Sequence, residues 1–330
     1  MNFKKFIALI CTFSFVFSNL INVSADPTKY DIDKAKRLLK KCGYTVVQLL
    51  GSGSSSLVFK CRKSDDQLVA VKITYNIDNP IRKFNEVSGA QAVEAIKPLP
   101  ESSLIRTKYA KYYYKYLNAP TVETFSAAGD VHYAIETPLA DTDGWKSIIE
   151  VRDGTIPYQI FRKIIKAVLK ALLVMHLMGI VHRDIKPENI LIKTNTDRSV
   201  SYSLTDFGFS GKFCPEARKG SPAYAAPELF QRKKPLVAEQ IFRTDTYSLG
   251  ATICQMYLVR KGNLDAASPE NLPKTILELQ NFNTTFLGAP EGDLVDFIQW
   301  CTNPDPSQRP TAWAALSHQF LKKPLNSDLT

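Results

Sequence analysis

The spacing of apolar residues changes along this chain, and the change limits the folds that it can adopt. Between residues 44 and 137, apolar and polar residues alternate in short segments, with the two-residue period of β-strands. After residue 138 the apolar residues mostly recur every three or four positions, which is typical of amphipathic helices. A strand-rich part followed by a larger helical part predicts an α+β fold with two lobes and a ligand-binding cleft between them.

The predicted elements follow from these periods and from the turn residues that separate them. The predicted strands lie at 44–50, 57–62, 67–75, 122–127 and 131–137. The predicted helices lie at 31–42, 82–96, 157–178, 243–259, 294–301 and 311–321.

Composition and charge exclude several classes of protein. Of the 330 residues, 45% are hydrophobic and 22% are charged, which argues against a disordered chain and against a fibre. No apolar run beyond the N-terminus approaches the roughly 20 residues that cross a bilayer, so a polytopic membrane protein is excluded. The net charge of +10 favours anionic partners in general. Because the basic residues are scattered, we expect a solvated basic surface and no specific nucleic-acid partner.

Residues 1–25 match the pattern of an export signal. Lys4 and Lys5 supply its positive start, residues 6–17 its apolar stretch, and residues 23–25 a small-residue cleavage site. The alternatives are an uncleaved anchor helix and a buried N-terminal helix. The favoured signal predicts a protein that is secreted, enters the lumen of the secretory pathway or is delivered to a host cell. Membrane contact is then expected only through an uncleaved signal.

In an exported protein, cysteines can form disulfides and asparagines can be glycosylated. Five cysteines remain after residue 25, and an odd number so widely spaced does not form a disulfide framework. No spacing of Cys or His suggests a zinc site. Asn283-Thr284-Thr285 is a possible glycosylation acceptor if the source is eukaryotic.

Residues 108–116, with the sequence KYAKYYYKY, interleave aromatic and basic side chains. Such a stretch could stack on bases or lie at a lipid interface. We favour a structural role in which the tyrosines pack and the lysines stay solvated.

Polar side chains concentrate in residues 180–192, whose sequence is IVHRDIKPENILI. Their polar members lie between two apolar, strand-like runs. Burying such groups unpaired costs on the order of 1–3 kcal/mol each, so they must line a site or be paired. Upstream, Gly51-Ser52-Gly53 lies between two predicted strands and Lys72 ends the sequence VAVK. Each of these two signals is weak alone.

With Asp206-Phe207-Gly208 and Ala226-Pro227-Glu228 following in order, the chain resembles the eukaryotic-type protein kinase family. Asp245 and Arg309 also match anchors of the helical lobe in that family. The resemblance covers residues 44–321, with an N-lobe at 44–137 and a C-lobe at 140–321. A lead-in helix at 26–43 precedes this domain, and a tail at 322–330 follows it.

The resemblance implies a site for ATP and Mg²⁺. Lys72 would contact the α- and β-phosphates and pair with Glu86, which fits the pattern better than Glu94. The adenine would lie between Val58, Ala70 and Leu191, against a hinge that includes Glu136 and Pro138, behind Ile135. The hairpin over the phosphates would comprise Leu50, Gly51, Ser52, Gly53, Ser54, Ser55, Ser56, Leu57 and Val58.

The resemblance also assigns the catalytic groups. Asp184 and Lys186 would be the catalytic residues, with Asp184 accepting the proton of the substrate hydroxyl, while Asn189 and Asp206 would bind the metal ions. Lys186 is typical of serine/threonine kinases, and Ser221 stands where these often carry threonine. We therefore expect a monomeric kinase that phosphorylates serine or threonine in protein substrates.

Three departures from the family pattern bear on activity. Ser56 replaces the third loop glycine, with little loss expected. Ala90 is small for the helix position that packs behind Asp206-Phe207-Gly208. The loop before residue 228 is short and has no hydroxyl at residues 216–218 that could be phosphorylated. Arg183, which would pair with a phosphate on this loop, is therefore expected to bind Glu216 or nothing. Activity without loop phosphorylation is expected. The alternatives are a secreted pseudokinase that acts as a binding module and a small-molecule kinase of related fold.

Overall fold

The structure is a computed structural model, and it describes residues 29–52, 56–74, 88–94, 115–127, 130–149, 156–212, 220–230 and 236–323. These residues form two compact units. One comprises the described residues up to 94 together with 119–140, and the other comprises 115–118 together with 141–323. The first unit is built on a sheet and the second is mostly helical, so the predicted α+β class is confirmed. The predicted export signal lies outside the described residues.

The sheet unit contains five antiparallel strands in the order β1-β2-β3-β5-β4. Their bounds are Thr45–Ser52 (β1), Ser56–Arg62 (β2), Leu68–Thr74 (β3), Thr121–Ala127 (β4) and Asp130–Pro138 (β5). Helix α1, Lys29–Lys41, precedes the sheet, and residues 88–94 are also helical. All five strands and α1 lie within two residues of the predicted bounds.

One face of this sheet forms the core of the unit. Leu57 and Phe59 of β2 and Val71 of β3 are fully buried, together with Leu39 of α1. Successive side chains of a strand point to opposite faces, so Val58, between Leu57 and Phe59, lies on the other face. The lead-in helix is therefore part of the unit that carries the sheet.

The helical unit is organised around two long helices, α2 (Tyr158–Leu177) and α3 (Ala238–Arg260), both with buried apolar residues along their length. The shorter helices are α4 (Leu272–Leu279), α5 (Glu291–Cys301), α6 (Ala312–Ala315) and α7 (Gln319–Lys322). Short strands are β6 (Thr142–Asp143), β7 (Ile180–Val181), β8 (Ile190–Thr194), β9 (Val200–Leu204) and β10 (Gly211–Lys212). Strands β6, β8 and β9 pair in one sheet, and β7 pairs with β10.

Two differences from the predicted helices have physical causes. The predicted helix at 311–321 is two short helices, because α6 ends at Ala315, the backbone of His318 is extended, and the ring of His318 accepts the N–H of Phe320 to start α7. Helix α4 was not predicted, since its eight residues offer only one helical repeat of apolar side chains. Among the described residues, no helix is long and apolar enough to cross a membrane.

Candidate active site

The loop between β7 and β8 is anchored by a buried carboxylate. Asp245 of α3 accepts the backbone N–H groups of His182 and Arg183, each at 2.8 Å, and lies 2.9 Å from Nε2 of His176. Burial would raise the pKa of Asp245, but hydrogen bonds and the nearby histidines outweigh burial and lower it. An ionised Asp245 therefore fixes the loop, including Arg183 at the unusual φ of 71°.

Asp184, the predicted proton acceptor, is held by groups on both of its carboxylate oxygens. Oδ1 accepts the hydroxyl of Ser221 at 2.8 Å and its backbone N–H at 3.1 Å. Oδ2 accepts Nδ2 of Asn189 at 3.0 Å and lies 3.2 Å from Nζ of Lys186. With only 6% of its surface exposed, Asp184 has one defined orientation.

Lys186 contributes a positive charge beside this carboxylate. Its Nζ donates to Oγ of Ser221 at 2.9 Å as well as contacting Asp184. Burial would lower the pKa of Lys186, but the carboxylates of Asp184 and Glu188 outweigh it and raise the pKa. Lys186 is therefore an ammonium at neutral pH, where it can stabilise a phosphoryl group in transfer.

The hydroxyl of Ser221 is a site contact that the sequence did not predict, since Ser221 had been identified only as a substitute for threonine. It bridges Lys186 and Asp184. Its position depends on Gly220, which has a φ of 138° and approaches the carbonyl of Arg183 so closely that a Cβ would lie 2.7 Å from that oxygen. A glycine followed by a small hydroxyl residue was the available signal.

His182 is a buried, neutral part of the loop. Its Nδ1 accepts the N–H of Asp184 at 3.2 Å, so Nε2 carries the proton and donates to the carbonyl of Thr205 at 3.0 Å. Burial lowers the pKa of His182, against the opposing effect of Asp245 and Asp184. Its ring also contacts Phe207 edge-on, with centroids 5.5 Å apart. His182 thus links the loop between β7 and β8 to the Asp206-Phe207-Gly208 segment.

Asn189 and Asp206, the predicted metal ligands, are brought together. The N–H of Thr205, which precedes Asp206, donates to the carbonyl of Asn189 at 3.0 Å. The amide nitrogen of Asn189 bonds both Asp184 Oδ2 and the Asp184 carbonyl, so the amide oxygen is directed away from Asp184. An amide and a carboxylate oxygen fit Mg²⁺, which takes few protein ligands and completes its shell with water and phosphate. Among the described residues, no cluster of three or more His, Cys, Asp or Glu could hold a metal.

Arg183, which was expected to bind Glu216 or nothing, bonds the backbone of the following loop. Its guanidinium donates to the carbonyl of Phe209 at 3.2 Å and to that of Lys212 at 2.9 Å. Only 8% of its surface is exposed. Glu216, its predicted alternative partner, lies outside the described residues, as do residues 217 and 218.

In the sheet unit, the strand register brings Val58, Ala70 and Lys72 to one face. Val58 pairs directly with Lys72, which pairs on its other side with Ile135. Ala70 lies two residues before Lys72 and therefore on the same face. Leu57 lies on the opposite face and is fully buried, so the structure places it in the core.

The predicted phosphate hairpin is described only at its two ends. Leu50 lies at a register shift between β1 and β2, which pairs Leu49 with Phe59 and Gly51 with Val58. Ser52 ends β1 and the buried Ser56 begins β2, whereas residues 53–55 lie outside the described residues.

The predicted hinge lies in the last residues of β5. The Glu136 carboxylate accepts the hydroxyl of Tyr44 at 2.7 Å and Nζ of Lys63 at 3.0 Å. The side chain of Glu136 is therefore held inside the sheet unit, and only its peptide group would serve a hinge. Pro138 pairs with Val69 at the end of β5.

The predicted partner of Lys72, Glu86, lies outside the described residues. Glu94, the alternative that was not favoured, accepts the backbone N–H of Val122 at 3.3 Å. Ala90 is buried, with 2% of its surface exposed.

In the helical unit, Leu191 lies on β8, between Asp143 of β6 and Ser203 of β9, directly after the loop between β7 and β8.

Glu228 and Arg309 form a second anchor of this unit. The guanidinium of Arg309, itself fully buried, bonds both Glu228 carboxylate oxygens, at 2.6 and 2.9 Å. Its cation also lies 4.7 Å from the ring centre of Tyr247.

Comparison with protein families identifies the class to which this fold and site belong. The family model described as the protein kinase domain matches residues 44–321. That match covers most of the chain, and the chain therefore belongs to the protein kinase domain family.

Individual relatives are longer proteins that the chain matches over part of their length. The chain is 32% identical over 54% of its length to mitogen-activated protein kinase kinase kinase 5 of Arabidopsis thaliana, of which it covers 26%. It is 26% identical over 83% of its length to the MAP kinase kinase MKK1/SSP32 of Saccharomyces cerevisiae, of which it covers 52%. It is 30% identical over 61% of its length to the human dual specificity mitogen-activated protein kinase kinase 7, of which it covers 47%. The chain thus spans about half or less of these relatives.

Proposed function

We propose that this chain is a serine/threonine protein kinase that transfers the γ-phosphoryl group of ATP to protein hydroxyls. The observation that supports this most is the fixed carboxylate of Asp184, with Ser221 on one oxygen and Asn189 on the other. A carboxylate held in this way can orient a substrate hydroxyl and accept its proton. Phosphoryl transfer needs mainly such positioning, together with neutralisation of charge.

Each group of the site takes one part in this reaction. Asp184 orients the hydroxyl, Lys186 stabilises negative charge on the transferring group, and Lys72 holds the nucleotide phosphates. Asn189 and Asp206 would hold Mg²⁺, which would supply positive charge to the phosphates of ATP. In the sheet unit, Val58 and Ala70 offer an apolar face to the adenine, and the peptide groups of residues 136–139 contact its edge.

The class of acceptor is tested by offering several kinds of hydroxyl at once. The chain is incubated with γ-labelled ATP, Mg²⁺ and a generic basic protein, and the product is hydrolysed for phosphoamino acid analysis. We expect phosphoserine and phosphothreonine. Phosphotyrosine beside phosphothreonine would contradict strict serine/threonine specificity and favour dual specificity, the property that the name of the human relative states.

The same assay separates the two alternatives. A small-molecule kinase would label an aminoglycoside or a sugar and leave the protein unlabelled. A pseudokinase would bind ATP without label transfer to any acceptor. The presence of Lys72, Asp184, Asn189 and Asp206 supports an active enzyme, since the loss of any one of them would remove a required group.

We also propose that the kinase is exported through residues 1–25 and acts where ATP is supplied, in a secretory lumen or in a host cell. The support is the sequence pattern of a basic start, an apolar stretch and small residues at the cleavage site. Mass spectrometry of the secreted fraction would locate the mature N-terminus, which we expect at Asp26. An intact N-terminus on protein in the cytosol of the producing cell would contradict export.

A further inference from the structure

The loop between α4 and α5 carries two exposed aromatic side chains. Phe286 is 82% exposed, the largest value for an apolar side chain among the described residues, and Phe282 is 45% exposed. Single apolar residues on a surface need no explanation. These two, however, flank an asparagine that is itself exposed, Asn283.

The backbone of this loop is fixed to α5, which determines what it presents to solvent. Nε2 of Gln299 donates to the carbonyls of Leu279 at 2.7 Å and Phe282 at 2.8 Å. Gly292 approaches the loop so closely that a Cβ would lie 2.9 Å from the carbonyl of Leu287. These contacts hold the backbone of the loop against α5, whereas the side chains of Phe282, Asn283 and Phe286 are exposed.

The side chain of Asn283 is arranged with its amide nitrogen outward. Its Oδ1 accepts the N–H of Thr285 at 3.0 Å and the hydroxyl of Thr285 at 2.7 Å. Both hydrogen bonds that the described residues make with this side chain end on Oδ1, so neither occupies Nδ2. The threonine two positions after the asparagine thus contacts its amide, in a triplet that has the acceptor pattern for N-linked sugar.

We propose that Nδ2 of Asn283 is an acceptor for N-linked oligosaccharide when the chain enters a eukaryotic secretory lumen. The proposal rests on the export proposed above. The donor is a lipid-pyrophosphate-linked oligosaccharide, brought by the lumenal transferase. Nδ2 forms a bond to C1 of the first sugar and loses one proton to a base of the transferase. The bond from C1 to the pyrophosphate oxygen breaks, and the lipid pyrophosphate leaves with its electron pair.

The exposed ring of Phe286 is the surface that the attached sugar contacts on the folded protein. Asn283 is the N-terminal cap of the 3₁₀ turn Thr284–Phe286, and Phe286 ends that turn three positions further along the chain. A sugar attached to Asn283 therefore has an exposed aromatic ring three residues away. The apolar face of the first sugar covers this ring, which accounts for an aromatic side chain that the polypeptide leaves in water.

The sequence predicts how many sugars the chain receives. The acceptor triplet occurs twice, at Asn22-Val23-Ser24 and at Asn283-Thr284-Thr285. The first lies inside the predicted signal and is lost on cleavage. A cleaved chain therefore gains one glycan, whereas an uncleaved chain can gain two.

The test is translation of the full chain with eukaryotic microsomes, with residues 1–25 either native or replaced by a proven secretory signal. We expect one step to lower gel mobility, which treatment with endoglycosidase H reverses. The step should disappear in Thr285→Ala, which keeps the asparagine, and persist in Thr285→Ser and in Asn22→Gln. A step only with the replaced signal would contradict export and support the site. A chain that the replaced signal delivers to the lumen without a glycan would overturn the site.

The position of the first sugar is tested on glycoprotein secreted from eukaryotic cells that leave its oligosaccharide in the high-mannose form. Endoglycosidase H leaves one sugar on Asn283, whereas peptide-N-glycosidase removes all. We expect the melting temperature to fall only after the second treatment, and to change with neither treatment in Phe286→Ser. An equal fall in Phe286→Ser, or no fall in the wild type, would overturn the contact between the sugar and Phe286.

Discussion

The hydroxyl of Ser221 donates a hydrogen bond of 2.8 Å to Oδ1 of Asp184, while Nζ of Lys186 lies 2.9 Å from that hydroxyl oxygen. A side chain 37 positions downstream thus fixes the predicted catalytic carboxylate. The contact joins the loop that would carry the chemistry to the segment that precedes Ala226-Pro227-Glu228. The orientation of Asp184 therefore depends on how that segment is placed.

Removing the Ser221 hydroxyl should impair catalysis more than binding. A hydrogen bond to a charged group contributes about 1.5–3 kcal/mol, which corresponds to a roughly 10- to 100-fold loss of kcat in Ser221→Ala. Ser221→Thr keeps the hydroxyl and is the matched control, with activity close to wild type. Steady-state kinetics of the three proteins, with equal melting temperatures as a check on folding, would measure this. Full activity in Ser221→Ala would show that the contact is dispensable.

The buried pair of Arg309 and Glu228 should matter for stability. Removing one partner of a buried ion pair costs about 3–5 kcal/mol, because the other charge stays buried without its counterion. We expect Glu228→Gln to lower the free energy of unfolding in urea by about this amount. Lys274→Ala is the control, since Lys274 and Glu278 form an exposed pair 3.7 Å apart on α4 whose loss should cost less than about 1 kcal/mol. Equal effects of the two substitutions would contradict the role of Arg309.

His318 should make the helical unit less stable in acid. Burial lowers the pKa of His318 despite the nearby carboxylates of Asp296 and Asp293. Below pH 6.5 the unfolded chain therefore binds more protons at this position than the folded chain. The stabilisation is complete above the unfolded pKa and is lost as the pH falls through the folded pKa, by at most about 1.4 kcal/mol per pH unit.

The matched variant is His318→Asn, because asparagine keeps an acceptor for the N–H of Phe320 and does not titrate. Urea unfolding at pH 7.5, 6.5 and 5.5 gives the difference in free energy of unfolding between the two proteins. The wild type should lose stability relative to the variant only below pH 6.5. A difference that does not change with pH would exclude titration of His318.

Pro138 should weaken nucleotide binding if residues 136–139 contact the adenine edge. A proline has no backbone N–H, so this position cannot donate a hydrogen bond to a ring nitrogen. Pro138→Ala restores the donor, and one hydrogen bond of about 1 kcal/mol corresponds to a roughly fivefold lower KM for ATP. The gain should vanish with 1-deaza-ATP, which lacks the ring-nitrogen acceptor. An unchanged KM for ATP would place the adenine edge elsewhere.

Much of the fold could be predicted from local patterns. The apolar spacing of α1 and α2 follows the helical repeat, and Gly179, at a φ of 72°, follows α2 where its helical pattern ends. The break before α7 could not be predicted, because the apolar spacing continues through residues 316–321 and the capping role of His318 depends on its rotamer. Local periodicity does not contain that information.

The candidate site was predictable in its residues and not in its bonds. The polar cluster at 180–192 followed from the cost of burying unpaired groups. Its anchor Asp245 lies 63 positions away from His182, to which it binds, and only the fold brings the two together. The separation of Leu57 from Val58, by contrast, was predictable, because alternation along a strand places one in the core and the other on the opposite face.

The most direct test of the central claim is phosphoryl transfer by matched proteins that differ at one atom of the site. The wild-type chain and Asp184→Asn are compared with γ-labelled ATP, Mg²⁺ and a generic basic protein, at equal ATP affinity and equal melting temperature. The account predicts steady incorporation of label by the wild type and a loss of 100-fold or more in Asp184→Asn, since the amide cannot accept the hydroxyl proton. Equal incorporation by the two proteins, or none by the wild type while it binds ATP, would contradict it.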